Sequence, residues 1–363
     1  MRITPCPPFP LAVVISVSLL ALIVLYSIGA GSFYPWCINQ CGRLILGIIT
    51  VFIAASVPLN FWKKHAYVGY AACVTMLVFV AVIGKISMGA QRWLNLYFFN
   101  IQPSELMRIS MIIALARYFS DLGISTITKT TTLFFPLLLM AVPVFMVLLQ
   151  PDLGTATILF CTFVAMLFVC GVQVWKFVVA LVGVACATPL LWQMLHQYQR
   201  ERVLVFLDPT LDPSGAGYHV IQSQIALGSG GLYGKGLLNG SQCQLNFLPE
   251  KQTDFIFAAL GEELGFIGCT AIIVLYAMLL IYNLGVARRS RNRFNQILVF
   301  GINAMLFFYM FINISMVCGL LPVVGIPLPF FSYGGSALMV LLFCQGLVFA
   351  ADAEHKAQFG IKR

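Results

Sequence analysis

Charge is scarce in this sequence. Aspartate and glutamate number 12 among 363 residues, histidine 4, and charged residues of all kinds make up 9%, against about 25% in soluble domains. So few charges cannot cover a water-facing surface, which excludes an ordinary soluble fold. Short alternating strands are also missing, so a closed β-barrel is excluded and the apolar runs read as helices that satisfy their own backbones in lipid. No cysteine pair stands with a histidine at zinc-ligand spacing, and His65, His196, His219 and His355 are scattered, so none of these is expected to bind a metal. The net charge of +9 comes without a basic module interleaved with aromatics, which argues against nucleic acid as a partner.

What the chain has instead is hydrophobic length: 60% of its residues are apolar. A membrane-crossing helix needs about 20 such residues. Windows between charges and Pro/Gly punctuation predict an all-α membrane protein with ten spans, near 11–30, 43–60, 65–85, 103–120, 133–150, 153–172, 175–198, 253–284, 294–319 and 331–351. The first run is long and has no small-residue cleavage site, so it reads as a span rather than a removed signal. The uncharged stretch from Phe294 to Ala351 is too long for one crossing, and GLLPVVGIPLPFFSYGG divides it. The eleven cysteines lie mostly in apolar windows; Cys37, Cys41 and Cys243 fall outside, and a Cys37–Cys41 bridge has nothing in the sequence to support it.

Ten spans put both ends on one side. With the ends inside, inner segments hold thirteen Lys and Arg against seven in outer segments, as the positive-inside rule requires. ARRSRNR (287–293) is the sharpest inner marker. The one long polar segment, 199–252, then lies outside between spans 7 and 8, and its eight glycines from Gly215 to Gly240 suggest an ordered surface loop. Within it, GSGGLYGKG (228–236) fails as a phosphate loop. Ser229 stands where a glycine should, and Gly236 where Ser or Thr should follow Lys235.

Ionisable residues at membrane depth are costly unless paired or used. Glu105 and Arg108 in QPSELMR are three apart on one helix and so face each other, as an internal salt bridge or as a catalytic support. Asp152 in QPDLG either caps the next helix or lines a cavity. Glu262 and Glu263 in GEELG call for a basic partner. Asp254 in LPEKQTDFIF is placed differently, because Thr253 is the better N-cap and the aspartate stays reachable beside the positive helix end. It reads as a dipole partner or as a catalytic or substrate-contacting acid.

GAQRWL (89–94), QPSEL (102–106), QPDLGTA (150–156), the run from YQRERVLVFLDP to GLYGKG (198–236), FLPEKQTDFIFA (247–258) and GLLPVVGIPLPFFSYGGS (319–336) together resemble the SEDS family of bacterial cell-shape and division proteins. GAQRW, the FLDP-to-GKG text and FLPE are more similar to its elongation branch, RodA-like, than to the FtsW-like division branch. The resemblance runs in order over nearly the whole chain and implies a single membrane domain, 1–363. It implies a peptidoglycan glycosyltransferase that polymerises lipid II on the outer face of the bacterial cytoplasmic membrane, beside a class B penicillin-binding protein that crosslinks the strands.

On that resemblance Asp254 matches the family's essential aspartate and would take the proton of the acceptor 4-hydroxyl. Glu105 and Arg108 match a Glu–Lys pair, with arginine here replacing lysine. Countercharge for the undecaprenyl diphosphate would come from a divalent cation, magnesium or manganese, or from Arg92, Arg202, Lys235 or Lys251. No organic cofactor is expected. A transporter of the lipid-linked precursor is the competing reading, against which stand the absence of repeated broken helices and the gathering of polar residues on the outer side.

Overall fold

The apolar runs fold as helices and the polar punctuation falls at their turns. The computed structural model describes residues 7–87, 90–95, 100–194, 197–212, 215–248 and 250–358. Its helices are α1 (Pro8–Ile28), α2 (Trp36–Ser56), α3 (Leu59–Ile83), α4 (Pro103–Asp121), α5 (Ile124–Ile127), α6 (Phe134–Leu149), α7 (Leu153–Cys170), α8 (Val174–Met194), α9 (Gln197–Leu207), α10 (Ala216–Gly230), α11 (Ser241–Gln244), α12 (Ile256–Arg289), α13 (Arg293–Val317) and α14 (Ser336–Gln358). Between α3 and α4 lies a small antiparallel sheet of β1 (Lys85–Ser87), β2 (Ala90–Asn95) and β3 (Asn100–Ile101), in the order β1-β2-β3. Proline opens α1 and α4 in the first turn, where a missing N–H costs nothing.

Among the described residues, 8 helices are long and apolar enough to cross a membrane: α1, α2, α3, α6 together with the 3-10 turn that leads into it (Thr130–Leu149), α7, α12, α13 and α14. The chain is a multi-pass membrane protein. The expected spans at 103–120 and 175–198 correspond to α4 and α8, and a count of ten needs both to cross. Helix α4 carries Glu105, Arg108, Arg117 and Asp121 yet is buried along nearly all its length, because α3, α6, α7, α13 and α14 pack around it. Protein, rather than lipid, surrounds Glu105 and Arg108, which is the environment such residues require, whereas Arg117 and Asp121 lie toward its more open C-terminal end.

The segment 199–252 is more regular than the loop expected of it. It holds most of α9, all of α10 and all of α11. Its glycines are partly packing devices: a Cβ on Gly230 would stand 1.9 Å from the carbonyl oxygen of Gly261, so α10 and α12 touch backbone to backbone there. Cys37 and Cys41, expected outside the spans, fall on α2. Cys37 and Cys41 are free thiols, and Cys37 and Cys243 are buried; Cys37 donates to the Leu22 carbonyl at 3.6 Å, inside the α1–α2 contact.

Helix α12 is broken. Gly265 takes φ 66° and ψ −161°, a conformation closed to residues with a side chain. The groups freed by the break are taken up by the GGLYGKG turn. Phe266 N–H donates to the Gly231 carbonyl at 2.9 Å and Ile267 N–H to the Leu232 carbonyl at 3.2 Å. In return Lys235 N–H reaches the Glu262 carbonyl at 2.9 Å and Gly236 N–H the Glu263 carbonyl at 3.0 Å. Irregular backbone at membrane depth survives only with such protein partners.

Candidate active site

Two turns meet at one end of the fold: residues 250–255, ahead of α12, and residues 319–335, between α13 and α14. Uncharged side chains join them. Asn313 of α13, fully buried, donates from Nδ2 to the Asp254 carbonyl at 2.9 Å and to the Ile326 carbonyl at 2.6 Å. Ser332 Oγ donates to the Thr253 carbonyl at 2.6 Å and accepts from Leu328 N–H at 2.7 Å. Tyr333 N–H donates to the Gln252 carbonyl at 2.9 Å. From α2, Gln40 donates to the Ser332 carbonyl at 3.1 Å and accepts from Gly334 N–H at 3.3 Å. Tyr276 of α12 donates to the Pro329 carbonyl. The backbone carrying Asp254 is therefore held directly by Asn313 of α13 and by the facing turn, and that turn is held in its place from α2 and α12.

The expected start of α12 needs correction. The helix begins at Ile256 with Phe255 at the N-cap, and Thr253 caps nothing. Its hydroxyl contacts the carbonyl and carboxylate of Glu250, at 3.2 and 3.1 Å. Asp254 thus stands just ahead of the helix, half-buried, where the helix-end dipole still favours its charge.

Asp254, Glu105, Arg108, Asp152 and Arg92 all line one cavity of about 270 Å³, together with the Gly334–Gly335 turn and the start of α14. Asp152 fills both roles open to it. It accepts from Thr155 N–H at 3.1 Å as the N-cap of α7, and from the Thr155 hydroxyl at 2.8 Å and Gln102 at 2.9 Å at the cavity wall. Arg92 donates to the carbonyls of Gln150 and Pro151, which ties β2 to the end of α6.

The Glu105–Arg108 ion pair does not form among the described residues. Arg108 instead lies 4.9 Å over the Tyr309 ring and reaches the Thr155 hydroxyl at 3.5 Å. A planar guanidinium can stack in this way where a lysine ammonium would sit as a point charge. Glu105 Oε2 and Arg108 Nε are buried with no hydrogen-bond partner among the described residues. Buried capacity of this kind, in the wall of a polar cavity, suits a polar ligand.

Two of the expected diphosphate-binding cations are engaged elsewhere. Lys235 pairs with the fully buried Glu262 at 2.7 Å, the basic partner that GEELG calls for. Glu262 also accepts from Gln242 N–H at 2.9 Å and Cys243 N–H at 3.2 Å, at the start of α11. Glu263 accepts from the Ser27 hydroxyl at 2.5 Å. Lys251 turns inward and donates to the Cys243 carbonyl at 2.5 Å and to Asn246 at 2.8 Å; burial lowers its pKa, and the nearby Cys243 and Glu263 raise it in part. Both lysines lie where carbonyls and buried acids are their nearest acceptors, which charge counting along the sequence cannot reveal. Arg202 belongs to α9, and its side chain lies outside the described residues.

Among the described residues, no three His, Cys, Asp or Glu side chains converge to hold a metal ion. Of the cavity acids, Asp152 already accepts from Thr155 and Gln102. Those acids do not make a cage for a divalent cation.

Asn313, Ser332 and Gln40 are the site residues that sequence reasoning missed. A polar amide inside the apolar run FFYMFINIS is the one signal that could have found Asn313, since an intramembrane polar group must have a partner.

Comparison with known proteins agrees with this architecture. A chain of the structure "Structural coordination of polymerization and crosslinking by a peptidoglycan synthase complex" superposes with a TM-score of 0.84 and 29% identity, over 96% of this chain and 98% of that one. Rod shape determining protein RodA of Thermus thermophilus superposes with a TM-score of 0.72 and 25% identity, over 98% of each chain. Peptidoglycan glycosyltransferase MrdB of Escherichia coli K12 is 43% identical over 320 residues, 88% of this chain and 86% of its own. The family described as cell cycle protein, which joins FtsW, RodA and SpoVE, matches residues 7–357. The chain belongs to that family.

Proposed function

We propose that this protein is a peptidoglycan glycosyltransferase that polymerises lipid II into glycan strands, with Asp254 as the general base. The observation that carries the reading is the single cavity in which Asp254 meets Arg92, Arg108, Glu105 and Asp152, in a family whose member MrdB is named for that activity.

In the reaction, the acceptor 4-hydroxyl of GlcNAc gives its proton to Asp254 as its oxygen attacks the anomeric carbon of the donor MurNAc. The bond from that carbon to the diphosphate breaks, and undecaprenyl diphosphate leaves with the electron pair. A single displacement inverts the anomeric carbon and requires no second carboxylate as nucleophile. Arg108 and Arg92 bring fixed positive charge to the wall where the diphosphate would gain charge. Asn313 and Ser332 hold the Asp254 backbone so that its carboxylate need not reorganise. A divalent cation, when bound, would add countercharge to the diphosphate; the described residues include no cluster of three His, Cys, Asp or Glu to hold it, and the steps here use only side chains.

The site acids collect at one end of the fold rather than at mid-depth, which favours an enzyme over a transporter. With both termini cytoplasmic, the cavity opens on the outer face of the cytoplasmic membrane. The likeness to a chain of a peptidoglycan synthase complex supports a class B penicillin-binding protein as the crosslinking partner, and the 43% identity to MrdB supports elongation over division. The test is reconstitution with lipid II on the accessible face. Polymer formed without translocation supports the enzyme, whereas translocation without polymer overturns it in favour of a transporter.

A further inference from the structure

A second concave site lies at the other end of α4. Asn60, Lys63, Lys64, Arg117 and Asp121 line a cavity of about 340 Å³. The rise along α4 from Glu105 to Asp121 is about 24 Å at about 1.5 Å per residue, close to the depth of a bilayer's hydrocarbon core. The two sites therefore face opposite membrane surfaces.

The charges there do not cancel. Lys63 pairs with Asp121 at 2.6 Å. Arg117 donates to the Lys64 carbonyl at 2.8 Å and stacks 4.6 Å over the Tyr67 ring, contacts that hold the guanidinium in place without neutralising it. The Lys64 side chain is exposed and forms no ion pair among the described residues. His65 beside it uses Nδ1 on the Phe61 carbonyl at 2.9 Å. Two cations thus remain uncompensated at one hollow.

An apolar wall continues from the cations toward lipid. Tyr67, beneath Arg117, meets Phe135 edge-on at 5.9 Å. Phe61 and Val68 of α3 and Phe134 of α6 stand exposed nearby, at 48%, 68% and 74%. A free anion would use the cations and leave this wall unused; a lipid uses both.

We propose that this site binds the phosphate of an anionic phospholipid headgroup, with Arg117 and Lys64 on the phosphate and the acyl chains along the outward faces of α3 and α6. The test is native mass spectrometry of the detergent-purified protein with dioleoylphosphatidylglycerol, with dioleoylphosphatidylcholine, and with the first lipid plus inorganic phosphate. Retention of phosphatidylglycerol over phosphatidylcholine is expected, weakened about tenfold or more in K64Q/R117Q and preserved in K64R/R117K. The exposed single variant K64Q, which leaves the packing of α3 intact, should weaken binding about threefold or more. Equal retention of both lipids, or unchanged binding in K64Q/R117Q, would overturn the proposal. Displacement of the lipid by equimolar inorganic phosphate would overturn its lipid part and assign the site to a free anion.

Discussion

Asn313 binds the main chain of Asp254 rather than its carboxylate: Nδ2 lies 2.9 Å from the Asp254 carbonyl oxygen and 2.6 Å from that of Ile326. One fully buried amide thus sets the distance between the turn that bears the acid and the turn that forms the facing wall of the cavity. Position of the base and shape of the pocket are coupled through it.

Asn313→Ala should lower the polymerisation rate about tenfold or more, because a base that can wander loses its alignment with the acceptor hydroxyl. It should also destabilise the protein by about 1 to 3 kcal/mol, since two buried carbonyls lose their donor. Rates with purified lipid II and a thermal-unfolding series check the two effects separately, and a mainly positioning role predicts a fall in kcat with little change in KM.

Asp254→Asn removes the proton acceptor and keeps the shape. Polymerisation should drop by at least about 100-fold, with the melting temperature and size-exclusion profile unchanged. Full activity of this variant would sink the general-base assignment.

Lys235→Met leaves Glu262 buried without its cation. A stability loss of about 2 kcal/mol or more is expected, read as a lower melting temperature in detergent. Glu262→Gln should cost less, because it removes the charge along with the need to compensate it.

Gly265→Ala tests the break in α12. A Cβ there would lie 2.3 Å from the Gly234 nitrogen, and neither backbone can move without releasing the hydrogen bonds between them. We expect a loss of at least about 3 kcal/mol, seen as failure to recover monodisperse protein. Recovery at wild-type yield would show that the turn can slide.

Much of the site was legible as charge. Asp254, Glu105, Arg108, Asp152 and Arg92 stand out in an apolar chain because each needs a reason to be there, and all five line one cavity. Lys235 and Lys251 stood out equally but serve Glu262 and the Cys243 carbonyl. A cation's sequence position does not tell which buried acceptor will claim it. Asn313, Ser332 and Gln40 carry no charge, and apart from the local Leu328–Ser332 bond their partners are 13 to 294 residues away in the chain, so local reading had little to pair them with. The helices were legible from hydropathy, α4 included, which reads as a span at 103–120 despite its charges; the order within 199–252 was not, because it depends on packing against α12.

The break at Gly265 separates α12 into a long rod set in the membrane and a short stub that begins beside Asp254. The stub is stitched to residues 231–244 on the outer segment, through the GGLYGKG turn and through Glu262. The same turn also accepts from Phe266 and Ile267 at the head of the rod, so it is a splice that locks the two pieces of α12 at one angle and thereby sets where the chain bearing Asp254 enters the helix.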